Sequence, residues 1–145
     1  MNQQSASGKT PFRRRASDGV CEVDCVDPST VAAARRSLPS EAVLRQAAEA
    51  FKTLGNPGRL RILKALEGRE LCVCDISDVL GLSMSGTSQQ LRELRNLGAI
   101  EYRVDGKLVY YTLADTFWLE LAESVLDRAG AQMATAANGR TRGKA

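Results

Sequence analysis

A chain of 145 residues that is 43% apolar can bury one hydrophobic core, and with no run of 18 apolar residues it offers no membrane-spanning helix. Its net charge of +3, from 20 basic and 17 acidic side chains, is too balanced to imply nucleic acid by itself. Four cysteines without a histidine exclude imidazole-based catalysis and remove the commonest nitrogen ligand, leaving thiolate chemistry.

Residues 1–19 are polar, small and basic without periodicity and are expected to form a disordered arm, where Arg13, Arg14 and Arg15 are either solvated or touch DNA phosphates. The first thirty residues have no apolar core of a secretory signal, so the expected location is the cytoplasm. Cys21 and Cys25 follow, then an alanine-rich stretch, Val31 to Leu38, that fits a short helix capped by Asp27 or Ser29 and ended by Pro39. The arm is taken as 1–39, a single folded domain as 40–130, and 131–145 as a disordered tail. Within the domain the charges are even, 10 basic against 10 acidic over 41–115, so any DNA-binding face depends on local segregation.

Ser40 is placed to cap a helix reaching Leu54, with Val43, Leu44, Ala47, Phe51 and Leu54 at helical spacing and Gly55 closing it. Asn56 caps a second helix with Pro57 at its first position, and Leu60, Ile62, Leu63 and Leu66 are its candidate core. Glu70-Leu-Cys-Val-Cys-Asp75 leads into a short helix with Ile76, Val79 and Leu80. Gly81-Leu82-Ser83 breaks that helix, and another runs from Ser83 or Met84 to Leu97 with Leu91, Leu94 and Leu97 inward. Two helices around a glycine turn form a helix-turn-helix. Ile100–Val104 and Leu108–Leu113 then read as strands with Asp105-Gly106 as the hairpin turn, which makes a wing. A last helix is expected from about Asp115 to Gly130, with Phe117, Trp118, Leu121, Val125 and Leu126 apolar. The fold class is therefore mainly α with a β-hairpin: a winged helix-turn-helix.

On the second helix of the motif, Ser85, Thr87, Ser88, Gln89, Arg92 and Arg95 read as the outer face. Small hydroxyls permit close approach to a groove, a glutamine amide can read an adenine edge, and arginines suit phosphates. Arg103 and Lys107 flank the wing tip, where a phosphate or minor groove would lie. Each residue alone is equally a solvated side chain. The order of helix, glycine turn, polar-faced helix and basic-tipped hairpin is what points to double-stranded DNA. Gln90 either adds a second amide to this face or lies toward the scaffold.

Cys72 and Cys74 stand at the entrance of the first helix of the motif. In a regular helix residues two apart point roughly 200° apart. Two thiols on one ion therefore need Cys72 in the preceding turn or an irregular helix start. The N–H groups and dipole of a helix start favour the metal-binding thiolate. Cys21 and Cys25, four apart, fit one side of a helical turn or a loose loop. One pair gives only two ligands where soft cations want three or four, so both pairs together would make an S3 or S4 site. Free cysteine is often just a small buried hydrophobe; two pairs with no other cysteine favour metal.

Glu70-Leu-Cys-Val-Cys-Asp75, with Leu91-Arg92 and the Asp-Gly wing, resembles the metal box of the ArsR/SmtB repressors, and Asn56-Pro57-Gly58-Arg59-Leu60-Arg61-Ile62-Leu63 is similar to that family's second-helix motif. The resemblance covers about 41–129, and Cys21-Glu-Val-Asp-Cys25 narrows it to the CadC-like cadmium/lead sensors. It implies a homodimer through the first and last helices that binds an operator without metal and leaves it with metal. It implies as ligands Cys72 and Cys74 of one subunit with Cys21 and Cys25 of the other. The family's second site on the last helix is not expected: Asp115 remains, but Phe117 and Arg128 stand where histidines would be and Ala131 replaces the acid.

The expected function is a metal-responsive transcriptional repressor, not an enzyme, with no membrane or organic small-molecule partner. Four thiolates favour Cd(II) or Pb(II) as inducer; Bi(III), Zn(II), Cu(I) and As(III) stay open, three thiolates sufficing for As(III). An arsenite-responsive repressor of the same fold and a thiol redox-switched repressor are the alternatives. A thiol enzyme or metal-storage protein is disfavoured by the lack of a histidine base or phosphate-binding glycine loop.

Overall fold

The computed structural model describes Gly19, Cys21 and residues 23–141. Arg13, Arg14 and Arg15, the rest of 1–18, and 142–145 lie outside the described residues, and with them the expectation of a disordered arm start. By its own contacts the chain divides into two units, 1–40 and 41–145.

In the first unit, Pro28–Ser37 forms α1. The Asp27 carboxylate accepts the Ser29 N–H at 3.0 Å, satisfying a backbone donor that a helix start leaves open, and also the Thr30 hydroxyl at 2.6 Å.

The second unit begins with α2, Glu41–Leu54, and α3, Pro57–Ala65, whose Asn56 cap accepts the N–H groups of Gly58 and Arg59 at 2.9 and 3.2 Å. Then come β1, Leu71–Cys72, α4, Val73–Leu80, and α5, Met84–Asn96. Gly81 ends α4 at φ 63°, a left-handed conformation that costs glycine little. Ser77 Oγ donates to the Leu82 carbonyl at 2.7 Å and Ser83 Oγ accepts the Gly86 N–H at 3.1 Å, which fixes the turn between the two helices. Strands β2, Ile100–Asp105, and β3, Leu108–Leu113, form the wing, and α6 is Phe117–Thr141.

The sheet has the order β1-β3-β2, all antiparallel, with Cys72 opposite Tyr110, and Arg103 also opposite Tyr110. The hairpin turn falls one residue later than the Asp-Gly reading: Asp105 still pairs with Leu108, so Gly106-Lys107 are the central residues. Only Gly106 has positive φ, 58°, the pattern of a type II′ turn with glycine first.

Ile62, Leu63, Leu66, Ile76, Leu91, Leu94, Ile100, Tyr111 and Leu119 meet in one core beneath α3, α4 and α5. One expectation is corrected: helix α6 does not stop near Gly130 but runs to Thr141, so 131–141 is helix and not a disordered tail. Of the apolar stripe on α2 only Leu54 is buried, while Val43, Leu44 and Phe51 are exposed, as are Phe117, Val125 and Leu126 on α6. A groove of about 540 Å³ bordered by Val43, Ala47, Ala50, Leu97 and Trp118 lies along this uncovered surface.

Candidate metal centre and nucleic-acid interface

The thiol pair sits where strand turns into helix. Cys72 ends β1 in extended conformation (φ −74°, ψ 161°) and is the residue before α4, while Cys74 is the second residue of the helix. Cys72 thus lies before the regular helix, one of the two arrangements that let both sulfurs reach one ion. Cys72 is half-buried and Cys74 exposed; Cys21 and Cys25 are exposed, and all four are free thiols. Among the described residues no three Cys, Asp or Glu side chains are gathered closely enough to hold a metal.

The sequence reading missed Asp75. Its Oδ2 accepts the Cys72 thiol at 3.1 Å and the Cys72 N–H at 3.3 Å. The signal was available: an acidic residue three after a capping position is the spacing of a reciprocal cap.

Of the residues assigned to DNA on α5, Ser85, Ser88, Gln89, Arg92 and Arg95 are exposed. Arg95 lies over the Tyr102 ring, 4.4 Å from its centre, so strand β2 orients this guanidinium. Thr87 is a correction. Its relative exposure is 0%, and its hydroxyl has no partner among the described residues. Thr87, Leu91 and Leu94 stand at i, i+4 and i+7, so the threonine continues the core stripe one turn upstream and cannot face a groove. Gln90 lies toward the scaffold, half-buried with its Oε1 enclosed.

In the wing, Lys107 is exposed at the tip. Arg103 is also exposed, but its guanidinium is held by neighbouring side chains. Its Nε and Nη2 donate to the two oxygens of Glu70 at 2.8 and 2.6 Å, and its guanidinium lies 4.6 Å from the Tyr110 ring centre. The Arg103 guanidinium holds the Glu70 carboxyl below its ordinary value, chiefly through these hydrogen bonds. At the start of α6, Asp115 accepts the Phe117 N–H at 2.8 Å.

A helix-turn-helix whose polar helix is followed by a β-hairpin wing defines a winged-helix transcriptional regulator. Residues 56–102 match the family model of the bacterial regulatory protein, arsR family. A transcriptional repressor SmtB homolog of Synechocystis sp. is 45% identical over 83 residues, which are 57% of this chain and 63% of that protein, so the match spans less than two thirds of it. A cadmium resistance transcriptional regulatory protein CadC homolog of Staphylococcus aureus is 39% identical over 106 residues, 72% of this chain and 86% of that protein. Among solved structures, the winged helix-turn-helix DNA-binding domain of a possible ArsR-family regulator from Mycobacterium bovis, described as homodimeric, has a TM-score of 0.56 at 31% identity over 65% of this chain and 90% of that one. The chain belongs to the ArsR family, on its metalloregulatory ArsR/SmtB branch, and is a transcriptional repressor and not an enzyme. Among the described residues no helix is long and apolar enough to cross a membrane.

Proposed function

We propose that this repressor binds operator DNA as a metal-free homodimer and releases it when Cd(II) or Pb(II) is bound by Cys72 and Cys74 of one subunit with Cys21 and Cys25 of the other. The observation that carries the reading is the placement of Cys72 at the end of β1, beside an exposed Cys74 at the start of α4. Two thiols at a strand-to-helix junction form half of a soft-metal site, and soft cations call for three or four thiolates. The arm cysteines are the only other thiols of the chain.

Dimerisation has its own support: the uncovered apolar faces of α2 and α6, with the homodimeric state of the Mycobacterium bovis domain. The CadC homolog's name, with its cadmium resistance, supports cadmium. In this reading Ser85, Ser88 and Gln89 face the bases, Arg92 and Arg95 the phosphates, and Lys107 with Arg103 the flanking groove.

Two titrations test the proposal. Operator affinity is measured with and without saturating Cd(II) or Pb(II); unchanged affinity would sink the sensor reading. Thiolate-to-metal charge-transfer absorption is then compared for the natural protein, Cys21→Ser and Cys72→Ser, and an untouched spectrum in Cys21→Ser removes the arm from the site. A redox switch is the second reading, favoured by the exposure of Cys21, Cys25 and Cys74 as free thiols. It predicts that peroxide alone, without metal, abolishes DNA binding.

A further inference from the structure

Glu70 stands two residues before Cys72, and its partner Arg103 is on the wing strand β2, 33 positions along the chain. Two contacts close a ring of side chains around the sheet. Tyr110 on β3 is the cross-strand neighbour of Cys72 on one side and of Arg103 on the other. The Arg103 guanidinium lies over the Tyr110 ring while Glu70 grips it by two parallel hydrogen bonds.

We propose that Glu70 is a positioning residue of the switch: it fixes the direction of Arg103 in the metal-free wing and carries displacement of the Cys72–Cys74 segment to the DNA-facing hairpin. This rests on the metal-release reading above. The pair is partly exposed, and an ion pair in that setting adds little to fold stability. What a two-pronged arginine–carboxylate contact adds is fixed geometry, because both donors must meet both oxygens in one plane. In the proposed switch, gathering Cys72 and Cys74 with the arm thiolates onto one ion would turn the backbone at the β1–α4 junction. Glu70, two positions upstream, shares that short segment. Its carboxylate cannot keep both hydrogen bonds unless Arg103 follows or lets go, and either response changes what the wing presents to DNA. The Thr87, Leu91 and Leu94 side of α5 is packed into the core and offers no comparable adjustable contact.

The experiment uses the full-length protein as natural sequence, Glu70→Gln, Glu70→Asp, Arg103→Gln and the Glu70→Gln/Arg103→Gln double variant. For each, Cd(II) stoichiometry is read from charge-transfer absorption, and operator affinity is read with and without saturating Cd(II). The quantity of interest is the ratio of the two affinities, which a purely structural role would leave alone. Glu70→Gln is expected to bind Cd(II) with natural stoichiometry and spectrum while that ratio shrinks by about three- to thirtyfold. Arg103→Gln should shrink it by the same factor, and the double variant no further, because both changes cut one link. Glu70→Asp, which keeps the charge, should recover part of the ratio. A natural ratio in Glu70→Gln overturns the proposal, as do losses that multiply in the double variant or a changed Cd(II) spectrum in Glu70→Gln. If the natural protein itself shows no Cd(II)-dependent ratio, the metal-release reading fails first, a result distinct from a ratio that survives in every variant.

Discussion

The Cys72 thiol and the Asp75 carboxylate face each other at 3.1 Å across the first turn of α4, and the same carboxylate oxygen also accepts the Cys72 N–H. In the proposed metal-bound form an ion at Cys72 would replace the thiol hydrogen that Asp75 accepts, which would put the carboxylate beside that ion. Partners of this kind orient a ligand and hold negative charge near the cation. Asp75→Asn keeps the size and a hydrogen-bonding group but loses the charge. It is expected to weaken Cd(II) binding about 10- to 100-fold, as read by competition with a chelator, while leaving metal-free operator affinity in place. Natural Cd(II) affinity in the variant would remove Asp75 from the site.

Thr87 and Gln89 should separate cleanly. The Thr87 hydroxyl is buried without a partner among the described residues, so Thr87→Val removes an uncompensated polar group at nearly constant shape. A gain of about 1 kcal/mol in unfolding free energy is expected, with operator affinity unchanged. Gln89→Ala should leave stability alone and cost about 1–3 kcal/mol of operator binding. Urea unfolding and DNA titration of both variants check the pair of outcomes. A loss of DNA binding in Thr87→Val would put that side chain back at the groove.

The start of α1 should respond to acid. Hydrogen bonds from the Thr30 hydroxyl, the Ser29 hydroxyl and the Ser29 N–H pull the Asp27 carboxyl from its ordinary 3.8 down to about 2. A folded value below the unfolded one contributes stability above the unfolded value, and that contribution is lost as pH falls through the folded one. The first turn of α1 is thus expected to loosen as pH falls from about 4 toward about 2. Amide chemical shifts of Ser29 and Thr30 report it, and Asp27→Ala should erase the transition.

Stability should rest on the core and not on the surface ion pairs. Leu91→Ala or Leu94→Ala empties space beneath α5 and should cost about 2–5 kcal/mol. Lys64 links Glu67 on its own side to Glu123 of α6, and its ammonium is held above its ordinary value by the Glu123 hydrogen bond first and Glu67 second. Because Lys64 and Glu67 are exposed and Glu123 is partly so, Lys64→Met is expected to move the denaturant midpoint far less than either core substitution. Denaturant midpoints of the three variants rank them, and a Lys64→Met effect as large as the core substitutions would reverse this assignment.

The caps, breaks and stripes of the winged helix were legible because each has a local cause. Asn56-Pro57 starts α3, Gly81 ends α4, and Leu91 and Leu94 mark the inner face of α5. Thr87 was misplaced because a hydroxyl beside Ser85 and Ser88 looks polar by type, although its phase belongs to Leu91. The end of α6 was unreadable for the opposite reason. Residues 131–139 are exposed throughout, so no apolar stripe announces the helix, and its alanines, among the best helix formers, carry it. Strand β1 is two residues long, too short for alternation to register. With β1 invisible, so were the neighbours of Cys72 and the tie from Glu70 to Arg103, since contacts 33 positions apart leave no mark in a local pattern.

Cys72 belongs to two hydrogen-bonding systems at once, the ladder to β3 and the cap of α4. A ligand that draws its sulfur outward must strain both, and strain of this kind sets a threshold. An ion that binds one thiolate weakly cannot repay it; one that gathers several thiolates can. At the proposed site the two-residue strand would therefore favour ions able to gather several thiolates over those that bind a single one.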